Sequence, residues 1–235
     1  MRPPLAALLF GLCSLGAADA PKPPTEAPAT LLAQTDKLVG ADDMTKGAPA
    51  SLWKITKGKW ERNDLGTTGA ELVADKHNAI VRLPVKLDAF VVSFDVRLDG
   101  AASFAFTINN AKEHLARVIV APTYVSLRRD DYDGDGPEKA FTLFTQPTPN
   151  DVGTWHNVVF EMVGDTVVLT VDGKISGWGA DPQFAKDIRA NPSFHIDGAT
   201  ATIRNFRLWT AKPEPKPTWA AKKGALPKPL DKPKK

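Results

Sequence analysis

Cysteine is almost absent from this 235-residue chain, tyrosine occurs twice and histidine four times, and no long hydrophobic run follows the first 20 residues. Each shortage removes a class of answer. The single cysteine, Cys13, lies in a leader expected to be cut away, and Phe10, Gly11 and Leu12 before it do not form a lipoprotein processing site. A mature chain without a thiol has neither disulfides nor cysteine-ligated zinc. The four histidines show no H-x-x-x-H spacing, the arrangement a thiol-free zinc site favours. No dinucleotide fingerprint, phosphate-cradling glycine loop or Ser-His-Asp order stands out, which disfavours nucleotide cofactors and covalent serine chemistry. There is no internal repeat. Without a further run of about 20 apolar residues, no transmembrane segment is expected.

What is present begins with an export signal. Met1-Arg2 gives a positive start, Leu5 to Leu15 is apolar, and Ala18-Asp19-Ala20 offers a small-residue cleavage site before Pro21. The expected product is exported, periplasmic or extracellular, and soluble. Charge is unevenly spread: eight lysines against Glu214 and Asp231 put residues 212–235 at +6, so with the whole chain at +3 and the leader neutral, residues 21–211 carry −3. Six interleaved prolines should keep that tail extended and block helix or ladder formation. The tail reads as a solubilising terminus or as a contact for anionic envelope polymers. Nucleic acid is a poor partner for an exported chain with an acidic body.

Periodicity then sets the fold class. Phe90, Val92, Phe94, Val96 and Leu98 alternate with more polar neighbours, Asp99-Gly100 supplies a tight turn, and Phe104, Phe106 and Ile108 alternate again. Two adjacent antiparallel strands are the simplest reading. Trp155 to Val163 and Thr166 to Val171 repeat the signature with turns at Gly164-Asp165 and Asp172-Gly173. A last run, Ala199 to Trp209, changes parity, which places a bulge near Asn205. Only Gln183 to Ala190 has helical potential, stopped by Pro192. The expected organisation is a signal peptide (1–20), a proline-rich linker and lead-in (21–50), an all-β body (51–211) and the basic tail (212–235). That body is expected to be a two-sheet antiparallel β-sandwich of the jelly-roll kind.

Three segments carry a family resemblance. WHNVVFEMVGDTVVLTVDG and FHIDGATATIRNFRLW resemble strands of concanavalin-A-like, laminin-G-type jelly rolls. The stretch from DKHNAIVRLPVK through NNAKEHLARVIV to RRDDYDGDGPEKA is similar to exported proteins of planctomycete-type bacteria related to the 3-keto-disaccharide hydrolase family. The resemblance spans about residues 51 to 211. It implies carbohydrate as the partner and, for an enzyme, cleavage of an oxidised glycoside by removal of a proton next to a ketone, with His77 or His114 as base and a cation or Arg117 stabilising the enolate. The E-x-D-x-E strand of laminarinase-type hydrolases is missing, so retaining hydrolysis by that motif is not expected, and a carboxylate pair would have to converge from distant segments. A noncatalytic lectin-like module and an envelope scaffold remain alternatives.

The residues themselves nominate one polar cluster and one acidic loop. His77, Asn109, His114 and Arg117 are expected to meet in a depression on the sheet, with Arg129 nearby, where amide, imidazole and guanidinium groups can bind sugar hydroxyls. One histidine there can act as acid or base near neutral pH. Trp178, between glycines in SGWGAD, is the candidate stacking ring, whereas Trp53, Trp60, Trp155 and Phe206 fit core positions. His156 should face solvent, and His195 alternates with Phe194 and Ile196. Asp131, Asp133 and Asp135 followed by Gly136 match the first half of a calcium loop. Thr142 replaces its closing glutamate, so the loop reads either as a calcium site or as a solvated acidic turn balanced by Arg128 and Arg129.

Overall fold

The computed structural model describes residues 26–47, 52–110, 114–131, 140–186 and 188–230. In chain order its strands are β1 (Ala33–Asp42), β2 (Lys54–Lys57), β3 (Lys59–Arg62), β4 (Thr67–Ala70), β5 (Ala79–Arg82), β6 (Lys86–Leu87), β7 (Phe90–Asn109), β8 (His114–Ala121), β9 (Tyr124–Arg129), β10 (Phe141–Pro147), β11 (Trp155–Val163), β12 (Thr166–Val171), β13 (Ile175–Ala180) and β14 (Arg189–Pro213). Two short α-helices, α1 (Pro182–Lys186) and α2 (Lys216–Gly224), and one 3-10 turn at Val73–Asp75 complete the described elements.

The architecture follows from two long antiparallel partners, β7 and β14. They pair along nearly their whole length, from Ala190↔Asn109 to Thr210↔Phe90. Midway, Gly100 (φ +100°) and Gly198 (φ +83°) turn both strands through one corner. Beyond it the first half of β14 and the second half of β7 continue into a front sheet, with β5, β6 and β2 on one side and β8, β9 and β10 on the other. The other halves build a back sheet with β4, β3 and β1 on one side and β11, β12 and β13 on the other. Strands that change sheet at a bend are a known way to make a sandwich corner. The fold is thus a two-sheet antiparallel β-sandwich.

Period-two alternation puts one side of each strand between the sheets. Phe94 of the back sheet meets Phe106 and Phe194 of the front sheet at centroid distances of 5.3 and 5.1 Å, and Trp53 stacks on Phe194 at 5.1 Å. Val92, Val96, Phe160, Leu127 and Ile203 fill the same interior and are fully buried. At the far side β13 closes over β10, with Gly177 lying on the Phe144 ring.

Four expectations change. Asp99-Gly100 is a corner within one strand instead of a hairpin turn, because each flank finds its partner on β14 and not on the other flank. Residues 33–42, read as part of a lead-in, form β1 and pair with residues 206–213. That strand is mostly exposed and polar, so it carries no alternation to read. The tail is helical over Lys216–Gly224: Pro215 and Pro217 sit in and before its first turn, where no N–H is needed, and no proline follows until Pro227. His156 is buried, with its Nδ1 2.8 Å from the Asp172 carboxylate. The bulge near Asn205 is found as expected: register shifts between Arg204 and Arg207, and Asn205 has φ +57°.

A side chain at the shared corner should be costly. A methyl on Gly198 would lie 3.1 Å from the Ala102 nitrogen at φ +83°, and left-handed backbone costs other residues about 1–2 kcal/mol. Gly198→Ala is expected to lower the melting temperature by roughly 3–8 °C. An unchanged midpoint in a thermal scan would contradict the corner's role.

Candidate functional site

The two outer faces of the sandwich differ in how their polar groups are matched. On the back sheet the chain covers itself. Leu31, Leu32 and Ala33 each donate a backbone N–H at 2.9 Å to the Glu161 carboxylate, which is fully buried. Burial pushes the Glu161 carboxyl above its ordinary value, and the three N–H donors oppose that shift. Glu214 donates its N–H to the Leu32 carbonyl at 2.9 Å and accepts from Lys222 at 3.1 Å. The other carboxylates at the centre of this face are also paired internally, although the Trp178 indole N–H is buried without a partner among the described residues. Asp95 accepts from Asn157, Arg204 and Asn205 at 2.9, 3.2 and 2.7 Å, and Asp99 from Arg97 and Thr202 at 2.7 and 2.6 Å. Trp155, expected in the core, lies on this face instead, with the Arg204 guanidinium 3.9 Å from its ring centroid.

Among the described residues nothing covers the front sheet's outer face, and it holds a depression of ≈ 370 Å³. His77, Asn78, His114, Arg117, His195 and Asp197 surround it, over Ser103, Ala105 and Ile119. Ala105, Ile119 and Ala121 form a small apolar cluster of their own, so the hollow has an apolar floor and a polar wall. Alternation explains the membership: Phe104, Phe106, Val118, Phe194 and Ile196 face inward, and the residues between them face out.

His114 and Asn109 meet where β7 and β8 slip register, between Ile108 and Asn109. The Asn109 amide nitrogen donates to the Asn191 carbonyl and, at 3.2 Å, to Ser193 Oγ, which fixes the amide's orientation. Its Oδ1 therefore accepts from His114 Nδ1–H and leaves the neutral ring's lone pair on Nε2. His195 Nε2 lies 2.8 Å from Ser193 Oγ, and the two imidazoles stand edge to face at 5.3 Å. Arg117 Nη2 is 2.8 Å from the Asp130 carboxylate. Burial, then the nearby Arg117 charge, lowers His114 to about 4. Burial, then His114 and Arg117, holds His195 well below the usual imidazole range. Both rings are neutral at pH 7 and serve as hydrogen-bonding groups.

Of the residues expected to meet, His77, His114 and Arg117 line the depression and Asn109 holds His114 from behind. Arg129 does not join them: it shares the parity of Val125 and Leu127 and is buried, while Arg128 takes the outward place beside Arg117. Trp178 is on strand β13 and not on a loop. Its ring is met edge-on by Trp219 at 6.2 Å and by Lys223 Nζ at 3.9 Å, so α2 covers it. Of the acidic loop, Asp131 is described, and Asp133 and Asp135 lie outside the described residues. Among the described residues no group of three or more metal-ligating side chains converges, and no helix is long and apolar enough to cross a membrane. His195 and Asp197 join the site although the sequence does not group them with it: alternation with Phe194 and Ile196 shows their parity but not which strands lie beside them. Pro192 breaks the pattern ahead of them, and the structure places that proline in a bulge between Ala190 and Ser193.

No protein-family model matches the sequence, and no curated protein does either. Solved structures do match in fold. The carbohydrate-binding module CBM66 from Bacillus subtilis superposes with a TM-score of 0.56 at 16% identity, covering 72% of this chain and 98% of that one. A Bacillus subtilis protein of unknown function with a galectin-like fold gives 0.56 at 9% identity, covering 76% and 98%. The Crh5 transglycosylase gives 0.53 at 12% identity, covering 77% and 90%. These likenesses establish a jelly-roll β-sandwich.

The depressed His114 carries a pH signature. Because its folded pKa is about 4 and its unfolded value 6.5, the unfolded chain binds more protons between those limits. Its contribution is therefore intact above about pH 6.5 and lost on acidification towards about pH 4, on the order of 3 kcal/mol in all. His114→Gln should flatten the fall of melting temperature across that window. A variant with the same slope as the unaltered chain would contradict the assignment.

Proposed function

We propose that this chain is an exported carbohydrate-binding β-sandwich whose ligand sits in the front-sheet depression. The observation that carries the reading is the concentration of unmatched polar atoms at an uncovered hollow. Asn78 Oδ1 and Arg117 Nε in its lining, and Thr107 Oγ1 next to Arg117 in the sheet, are buried without a hydrogen-bond partner among the described residues, whereas the unmatched Trp178 indole of the back face lies under α2. Buried polar atoms without partners are costly unless something else supplies them. A sugar brings both donors and acceptors on its hydroxyls, and its C–H face suits the Ala105 and Ile119 floor. The likeness to a carbohydrate-binding module and to a transglycosylase on the same fold agrees with this class of ligand.

Binding is favoured over proton abstraction by the state of the imidazoles. His114 is oriented by Asn109 in the way a general base would be, but a base with a pKa of about 4 has little driving force near neutrality. The proton-abstracting role on 3-keto-glycosides thus falls to His77, which is exposed on the rim, with Arg117 beside it. That enzyme is the second reading, kept for the resemblance and for this pair.

Filling the hollow tests the first reading. Ala105→Trp, on the solvent side of a central strand, should weaken binding to any glycan found on an array by about tenfold or more, with the circular-dichroism spectrum unchanged. Undiminished affinity in a folded variant, or an array without a single ligand, would refute it.

A further inference from the structure

We propose that the depression selects acidic sugars, whose carboxylate or sulfate group is held by Arg117 and Arg82. The proposal rests on the carbohydrate reading above and narrows its ligand class. Its basis is a row of residues set by register across the front sheet: Arg82 faces Ser193, Ser193 faces Thr107, Thr107 faces Arg117, and Arg117 faces Arg128. All five stand on the outward parity, so three guanidinium groups and two hydroxyls share one line across five neighbouring strands. At about 4.8 Å per strand, Arg82 and Arg117 lie on opposite sides of the Ser193–Thr107 pair.

What these groups lack identifies what they would take. Arg82 Nε, Arg117 Nε and Arg128 Nε are all buried and without a hydrogen-bond partner among the described residues. A guanidinium only donates, so each needs an acceptor, and a carboxylate or sulfate only accepts. Asp130 Oδ2 forms an ion pair with Arg117 Nη2 at 2.8 Å but no hydrogen bond, so it neutralises part of this charge and leaves Arg117 Nε unmatched. Asn78 Oδ1 has the opposite need, since it is a buried acceptor without a donor. A neutral sugar would satisfy Asn78 through a hydroxyl but would bring the guanidinium groups only weak acceptors. An acidic sugar supplies both in one molecule. Asp197, on the wall of the hollow, would meet hydroxyls on the side away from the anionic group. The imidazoles agree with this arrangement: burial is the main cause that lowers His114 and His195, Arg117 and Arg82 add to it, and Asp130 opposes it at His114.

The test compares matched ligands on the unaltered chain by titration calorimetry. Uronic-acid oligosaccharides are set beside their methyl esters, and sulfated oligosaccharides beside their desulfated forms, which separates the two sources of negative charge. The acidic member of at least one pair should bind about tenfold tighter than its neutral partner, and the advantage should shrink between roughly 50 and 500 mM NaCl. Arg82→Gln, outside the lining of the hollow, should remove most of the preference and leave affinity for the neutral partner nearly intact, whereas Arg117→Gln should remove the preference and weaken the neutral partner as well. Equal affinity within both pairs overturns the proposal while the carbohydrate reading stands. Failure of every saccharide, acidic or neutral, removes both. Competition by free acetate or sulfate at the saccharide's own concentration would mark a bare anion site and also overturn it. Should either variant fail to fold, the matched pairs decide alone.

Discussion

The pairing of β7 with β14 through a common corner governs everything else in the molecule. Because both strands belong to both sheets, the sheets cannot slide or part without breaking a ladder that runs from Phe90 to Asn109. The aromatic centre, Phe94 against Phe106 and Phe194, joins the two halves of these same strands. Register along this ladder also decides which side chains reach the outer faces. Ser193, His195 and Asp197 come out on the front face because Phe194 and Ile196 are committed to the core. A slip of one residue would exchange the imidazole for a phenyl ring.

From that frame the asymmetry of the outer faces follows. The two ends of the described chain return to the back sheet, one as a strap whose N–H groups enclose Glu161 and one as a helix that covers Trp178. Trp178 and the basic tail, read separately as a stacking ring and a free extension, thus turn out to meet each other. Among the described residues the front sheet receives no such cover over its hollow. There its central residues keep donors and acceptors buried and unmatched, which a structure tolerates where a ligand or water completes the bonding. Low-dielectric surroundings and two neighbouring guanidinium groups keep the histidines uncharged there, so their role is shape and hydrogen bonding.

The sandwich was legible wherever strands alternate strictly, as in Phe90 to Leu98 and Trp155 to Val163, because burial on one side imposes that pattern. Even the bulge near Asn205 showed as a change of parity. The corner at Gly100 was not, since Asp-Gly suits a hairpin and a bend alike, and only the position of β14 decides between them. β1 was invisible for a related reason: as an exposed edge it buries too little to impose a pattern. At the site, His77, His114, Asn109 and Arg117 could be grouped from their place at strand ends and their chemistry. His195 was not grouped with them because its alternation with Phe194 and Ile196 gives its parity, while its place beside β7 and β5 comes only from the pairing. Arg129 was chosen over Arg128 because neighbours in sequence cannot be assigned to faces until the strand's parity is anchored by Val125 and Leu127.

The most direct measurement is a nuclear magnetic resonance titration of the isotopically labelled chain with a bound glycan. Shifts are predicted to cluster on Asn78, Ser103, His114, Arg117, His195 and Asp197, with Trp155, Trp178 and Glu161 on the back sheet unmoved. Perturbation centred on the back sheet, or spread over both faces alike, would contradict the assignment of the ligand to the open front face.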